Sequence, residues 1–142
     1  MIAYADTSFL VSLFRLDANS MRATSAINRL KPNLLLTPLG GLEIINALEL
    51  QIFRKETTRI QANAAKAVLA ENTASGFFVL QSMPENVYIR AEQIARRYGS
   101  RLGVRTLDIL HVTSAVLLRP EMFISFDLRQ LKLARACGLK TL

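Results

Sequence analysis

Tryptophan is absent from this chain of 142 residues, and histidine and cysteine occur once each. With Cys137 as the only cysteine, no intramolecular disulfide can form and nothing calls for an oxidising compartment, so a cytoplasmic address is expected. Cys137 lies between Ala136 and Gly138 at the end of an apolar segment, a setting that suits a small packed residue better than a thiol nucleophile. One histidine and one cysteine cannot supply the nitrogen and sulfur donor clusters that select zinc. Nowhere do about eighteen apolar residues follow one another without a charge, so no membrane span is expected. The apolar start MIAYADTSFL lacks a basic residue and is interrupted by Asp6, which argues against a secretory leader and for a mature protein beginning at Met1.

What the chain has in excess is positive charge: 18 Lys and Arg face 11 Asp and Glu, a formal net charge of +7. Such a field attracts phosphate-rich partners, nucleic acid above all, although charge alone is equally compatible with a merely solvated basic surface. Apolar residues make up 51% of the sequence, enough for a substantial core. The length suits one domain, residues 1–142, burying about two thirds of its unfolded surface. No internal repeat, low-complexity tract or linker divides it.

Short apolar runs alternate with longer stretches of helical periodicity, which predicts an α/β fold with a central parallel sheet flanked by helices. Strands are expected at Ile2 to Ala5, Leu34 to Thr37, Phe77 to Leu80 and Met122 to Phe126, with Leu139 to Leu142 as a further edge strand. Helices are expected from Thr7 and Ser8, whose hydroxyls would cap, through Phe14, and from about Ala18 to Leu30 with Leu16, Ile27 and Leu30 inward. Pro38 and Gly40-Gly41 would end the second strand. Leu42 to Arg54 and Thr57 to Asn72 would follow as a helical hairpin, then Pro84 to Tyr98, Thr106 to Leu118 and Leu128 to Ala136, with Gly99 and Gly103 bracketing a loop.

Four acids stand in apolar surroundings: Asp6 between Ala5 and Thr7, Glu43 between Leu42 and Ile44, Asp108 between Leu107 and Ile109, and Asp127 between Phe126 and Leu128. An ionised carboxylate among buried side chains costs several kcal/mol unless it is paired, hydrogen-bonded or bound to a cation. Taken singly, Asp6 and Asp127 could cap helices, and Glu43 and Asp108 could complement helix dipoles. Together they fall at expected strand exits and helix starts, which a parallel sheet gathers on one edge, the edge where such folds bind ligands. Converging carboxylates stay ionised only if a hard cation compensates them, and oxygen-only ligation favours Mg²⁺ or Mn²⁺. A positive surface beside an acidic metal pocket suggests phosphodiester hydrolysis, with the metal activating water and stabilising the leaving oxygen.

Asp6-Thr7-Ser8 after a first strand, Glu43 in LEIINAL, Asp108 in TLDILHV, and Ser125-Phe126-Asp127 resemble, in that order and spacing, the signature segments of PIN-domain nucleases, especially VapC-type toxins. The resemblance spans nearly the whole chain. It implies strand order 3-2-1-4-5, a Mg²⁺- or Mn²⁺-dependent endoribonuclease acting on RNA, a homodimer, and inhibition by a cognate VapB-like antitoxin. Carried over by position, Asp6 and Asp108 are implied as principal metal ligands, Asp127 as completing the site, and Glu43 as a ligand or water-positioning base. Ser8 and Ser125 match polar positions beside it.

His111, three residues after Asp108, could orient a carboxylate or shuttle a proton, but a core histidine satisfied beneath the pocket is the commoner meaning. Arg96, Arg97, Arg101 and Arg105 could grip RNA phosphates or simply form an exposed basic helix face. Leu48, Ile52 and Phe53 could present apolar surface to a second subunit or an antitoxin helix, or face the sheet. A non-catalytic PIN-like module that binds nucleic acid or protein is the competing reading. A phosphoacceptor or phosphatase using Asp6 is disfavoured because Ser8 stands where a second aspartate is needed.

Overall fold

The computed structural model describes residues 1–14 and 18–142, and Leu16 lies outside the described residues. Four strands, β1 (Ile2–Ala5), β2 (Asn33–Leu36), β3 (Phe78–Leu80) and β4 (Met122–Ile124), form one sheet in the order β3-β2-β1-β4. Every neighbouring pair is parallel. The expected fifth strand is reduced to a single bridge between Phe123 and Thr141 beside β4.

Alternate residues of each strand point to opposite faces, and both faces are apolar, as expected of a parallel sheet covered on both sides. Ala3, Ala5, Leu34, Leu36, Phe78 and Ile124 belong to one core cluster with Phe9, Leu10, Ile44 and Leu48. Tyr4, Leu35 and Phe123 belong to the other, with Ile109, Val112, Leu131 and Leu133. The first face is covered by α1 (Thr7–Phe14), α2 (Ser20–Leu30), α3 (Pro38–Phe53) and α4 (Arg59–Ala74); the second by α5 (Val87–Leu102), α6 (Thr106–Leu118) and α7 (Leu128–Ala136). Ile27 and Leu30 pack on the first core as expected.

Several boundaries differ from the sequence reading. Pro38 and Gly40-Gly41 do not end β2 and stop; they open α3, with Pro38 in its first turn and the Thr37 hydroxyl accepting from Gly40 N–H. Proline suits that position because its missing N–H would be unpaired there anyway. Gly40 lies close to β2: a Cβ there would sit 3.3 Å from Leu36 Cδ1, tight enough that the leucine side chain would have to shift. Gly99 lies inside α5, which runs on to Leu102 and ends at Gly103, whose φ of 63° is the left-handed cap geometry. Finally, α5 begins at Val87 rather than at Pro84, and β4 ends at Ile124, leaving Ser125 and Phe126 as a loop.

The chain builds outward from β1 through β2 to β3, then crosses to place β4 on the other side of β1. The space between the carboxyl ends of β1 and β4 is therefore the topological switch point, where open α/β sheets leave a crevice.

Candidate active site

Asp6 follows β1 directly, and its backbone N–H donates to Ile124 O at 3.0 Å, which fixes it against the end of β4. Its side chain is almost wholly buried, at 3% exposure. The carboxylate accepts from Phe9 N–H at 3.0 Å, from Ser8 Oγ at 2.8 Å to both oxygens, and from Ser125 Oγ at 2.7 Å. Of the two expected capping hydroxyls, that of Ser8 is thus turned onto the acid, and Asp6 itself caps α1. Burial pushes the Asp6 carboxyl above its ordinary range, while the Ser125, Phe9 and Ser8 hydrogen bonds pull the other way.

Ser125 joins two acids, because its Oγ also accepts the Asp127 N–H at 2.9 Å. The Asp127 carboxylate caps α7 by accepting from Arg129 N–H at 2.8 Å and Gln130 N–H at 3.1 Å. Gln130 then reaches back: its Nε2 donates to Asp108 Oδ1 at 2.9 Å, with the Arg105 guanidinium 3.6 Å from Asp108 Oδ2. Asp108 lies in the first turn of α6, where the helix dipole favours an acid. Asp108 and Asp127 line one surface pocket with Arg105, Leu128 and Arg129.

Glu43 is held separately. It lies in the second turn of α3 rather than at the helix start, and Oε1 accepts from Thr7 Oγ1 at 3.0 Å and from His111 Nε2. His111 is buried, with Nδ1 2.8 Å from the Tyr4 hydroxyl, so both ring nitrogens are satisfied. Burial acts to raise the Glu43 carboxyl, but the His111 hydrogen bond and charge and the Thr7 hydroxyl outweigh it, and the net shift is downward. Burial pushes the Tyr4 phenol up to about 12, so it stays protonated beneath the site. His111 is therefore a buried core histidine that also orients a carboxylate, that of Glu43.

The structure thus ties Asp6 to Asp127 through Ser125 and Asp127 to Asp108 through Gln130, with Glu43 on its own His111 and Thr7 support. Among the described residues, no three His, Cys, Asp or Glu side chains are grouped closely enough to form a ready-made metal site. Of the arginines singled out, Arg105 alone lines the acidic pocket; Arg96 pairs with Glu92 at 2.6 Å and Arg97 lies over the Tyr98 ring at 5.3 Å. The sequence reading has no role for Gln130 and takes Thr7 only as a capping hydroxyl beside Asp6, because neither is acidic; their position in the first turn of a helix that follows an acid was the available signal. No described helix is long and apolar enough to cross a membrane.

A parallel α/β sheet of this order has its ligand crevice at the switch point, where Asp6 stands. The PIN domain model matches residues 3–136, and the chain belongs to that family. Its fold is shared by FitAcB from Neisseria gonorrhoeae, 18% identical over 100% of this chain and 96% of that one, with a TM-score of 0.68. VapC20 of Mycobacterium tuberculosis, a sarcin-ricin loop cleaving toxin, is 18% identical over 96% of this chain and 95% of its own, at a TM-score of 0.70. VapBC2 from Rickettsia felis, solved bound to a DNA fragment from its promoter, is 11% identical over 100% of this chain and 98% of that one, at 0.68. No curated protein is similar enough in sequence to count as a relative.

Proposed function

We propose that this protein is a Mg²⁺- or Mn²⁺-dependent endoribonuclease and the toxin of a toxin-antitoxin pair, working in the cytoplasm as a homodimer and held inactive by a VapB-like antitoxin. The observation that carries the nuclease reading is the shared pocket of Asp108 and Asp127, flanked by Arg105 and Arg129 and linked through Ser125 to Asp6. The solved structures that share the fold support the toxin and partner, since they include VapBC and FitAB complexes.

The donor set suits a hard cation in its chemistry, and binding would draw together acids that stand apart in the structure. Its ligands are carboxylate oxygens, with no thiolate or second imidazole nearby, and Gln130 Oε1 beside Asp108 is a buried acceptor without a partner that hydration water could use. Asp6, Asp108 and Asp127 would hold the ion, with Glu43 as a further ligand or as the base that positions water. When bound, the cation would supply charge neutralisation at the phosphate and a water of lowered pKa. Ser8 and Ser125 hold Asp6 in place, Gln130 aims Asp108, and His111 fixes Glu43, whose lowered carboxyl pKa keeps it ionised as a ligand or as an acceptor for water. Arg105 and Arg129 would meet the negative charge of the phosphodiester.

Cleavage of structured RNA by the purified protein tests this. It is expected with Mg²⁺ or Mn²⁺, to stop on chelation, and to fall by orders of magnitude in Asp6→Asn and Asp108→Asn. Undiminished cleavage in excess EDTA, or by Asp6→Asn, would falsify the metallonuclease; metal-independent RNA binding without cleavage would favour the non-catalytic module.

A further inference from the structure

Beside the acids lies a groove of about 470 Å³ between α2 and the loop after β4. Its walls carry Arg22 and Arg29 from α2, with Met21, Phe126 and Leu142 as apolar surface, and no acid lines it. Arg22 and Arg29 are seven residues apart, so they share one face of α2 about 10 Å apart along its axis. Neither has a carboxylate partner among the described residues, and Arg22 makes only a 3.3 Å contact to the Asn19 side-chain oxygen. The Arg22 guanidinium lies over the Phe126 ring, 4.9 Å from its centroid. Met21 beside them is 84% exposed.

This groove adjoins the acids through Ser125. Ser125, which donates to Asp6, lines it, and the Phe126 N–H donates to Ser8 Oγ at 3.2 Å. We propose that the groove is the subsite for the single-stranded part of the RNA next to the scissile phosphate. Arg22 stacked on Phe126 offers a planar cation on which an unpaired base can lie, while Arg29 and the outer edge of Arg22 take phosphates of neighbouring nucleotides. Bases splayed out of a loop are recognised by stacking of this kind, and the guanidinium fork suits phosphate oxygens. An acidic peptide without apolar side chains would gain the arginines but leave the apolar surface unused.

The inference rests on the ribonuclease reading, and its test keeps the two apart. Binding of a fluorescently labelled single-stranded RNA is measured by anisotropy in the Asp6→Asn background, which cannot cleave, and cleavage kinetics are measured in the wild-type background. Arg22→Ala/Arg29→Ala is expected to weaken binding tenfold or more and to lower the slope of log affinity against log salt by about 1.4, two phosphates at about 0.7 each. Phe126→Leu is expected to weaken binding about tenfold with the salt slope unchanged, as lost stacking does. In cleavage, the arginine pair should raise KM with kcat retained. Arg54→Ala/Arg119→Ala, which removes equal charge from exposed positions elsewhere, is the control. Equal weakening by that control, or wild-type affinity and slope in Arg22→Ala/Arg29→Ala, overturns the groove assignment while leaving the nuclease intact. Absence of both RNA binding and cleavage in otherwise folded protein overturns the nuclease and the groove with it.

Discussion

Asp6 and Asp108 are both assigned to the proposed site, yet their surroundings differ in kind. Asp6 is buried among neutral donors, and its carboxyl is shifted upward chiefly by desolvation. Asp108 keeps 16% side-chain exposure, a helix N-terminus, the Gln130 amide and a nearby guanidinium. A raised pKa means that the folded state holds the proton more tightly than the unfolded one. The Asp6 cost is therefore absent below its ordinary value of 3.8 and grows as pH rises through the folded value. In EDTA at neutral pH, Asp6→Asn is expected to melt a few degrees higher than wild type, with the gap closing toward pH 4. Asp108→Asn is expected to melt no higher. Calorimetry of the three proteins across pH checks both, and a less stable Asp6→Asn would show that hydroxyl and backbone donors already compensate the charge. Ser125→Ala withdraws one of those donors from a buried acid and is expected to cost about 1.5 to 3 kcal/mol, read by urea unfolding.

The α3 and α4 hairpin separates two roles that the sequence left joined. Leu48 is buried and Ile52 packs on the same core, whereas Phe53 is 83% exposed. Leu48→Ala is expected to cost about 2 to 5 kcal/mol and Phe53→Ser less than about 0.5 in the monomer, so a larger loss for Phe53→Ser would mean that the ring is covered by another chain. The hairpin is also clasped by Glu49, which meets Arg59 at 2.7 and 2.9 Å and Lys66 at 2.6 Å. Those partners, Arg59 first, hold the Glu49 carboxyl down at about 2 from 4.5. Its stabilisation is complete above pH 4.5 and lost as pH falls toward 2, so the melting gap between wild type and Glu49→Gln should narrow over that window. Helix ends were the hardest features to read. Pro38 and Gly40 look like terminators in sequence, but the Thr37 cap on Gly40 N–H and the place of Pro38 in the first turn make them the opening of α3. Gly99 similarly gives up its breaker role to Gly103, where the backbone adopts a positive φ.

At the scale of the whole molecule, the layered fold was legible because strand apolarity and helical period alternate cleanly, and the acids stood out because charge is rare in apolar company. The supports of those acids were not legible. Asp6 takes its shortest hydrogen bond from a serine 119 positions away, and Glu43 its imidazole from 68 positions away, so only the crossing of the chain to β4 and the packing of α6 bring the pairs together. Their character has a consequence for ionic strength. Hydroxyls, backbone N–H groups and a side-chain amide act at contact distance as fixed dipoles, and dissolved ions do not displace them. The arginines lining the groove and the acidic pocket act outward through solvent, where a Debye length of about 8 Å limits their reach. Salt should therefore divide the proposed reaction: capture of RNA weakens steeply as ions are added, while turnover of RNA already seated holds nearly level. Single-turnover rates at saturating protein, compared with rates at trace protein across a salt series, would expose that division, and a parallel decline of both would mean that the acids lean on mobile counterions after all.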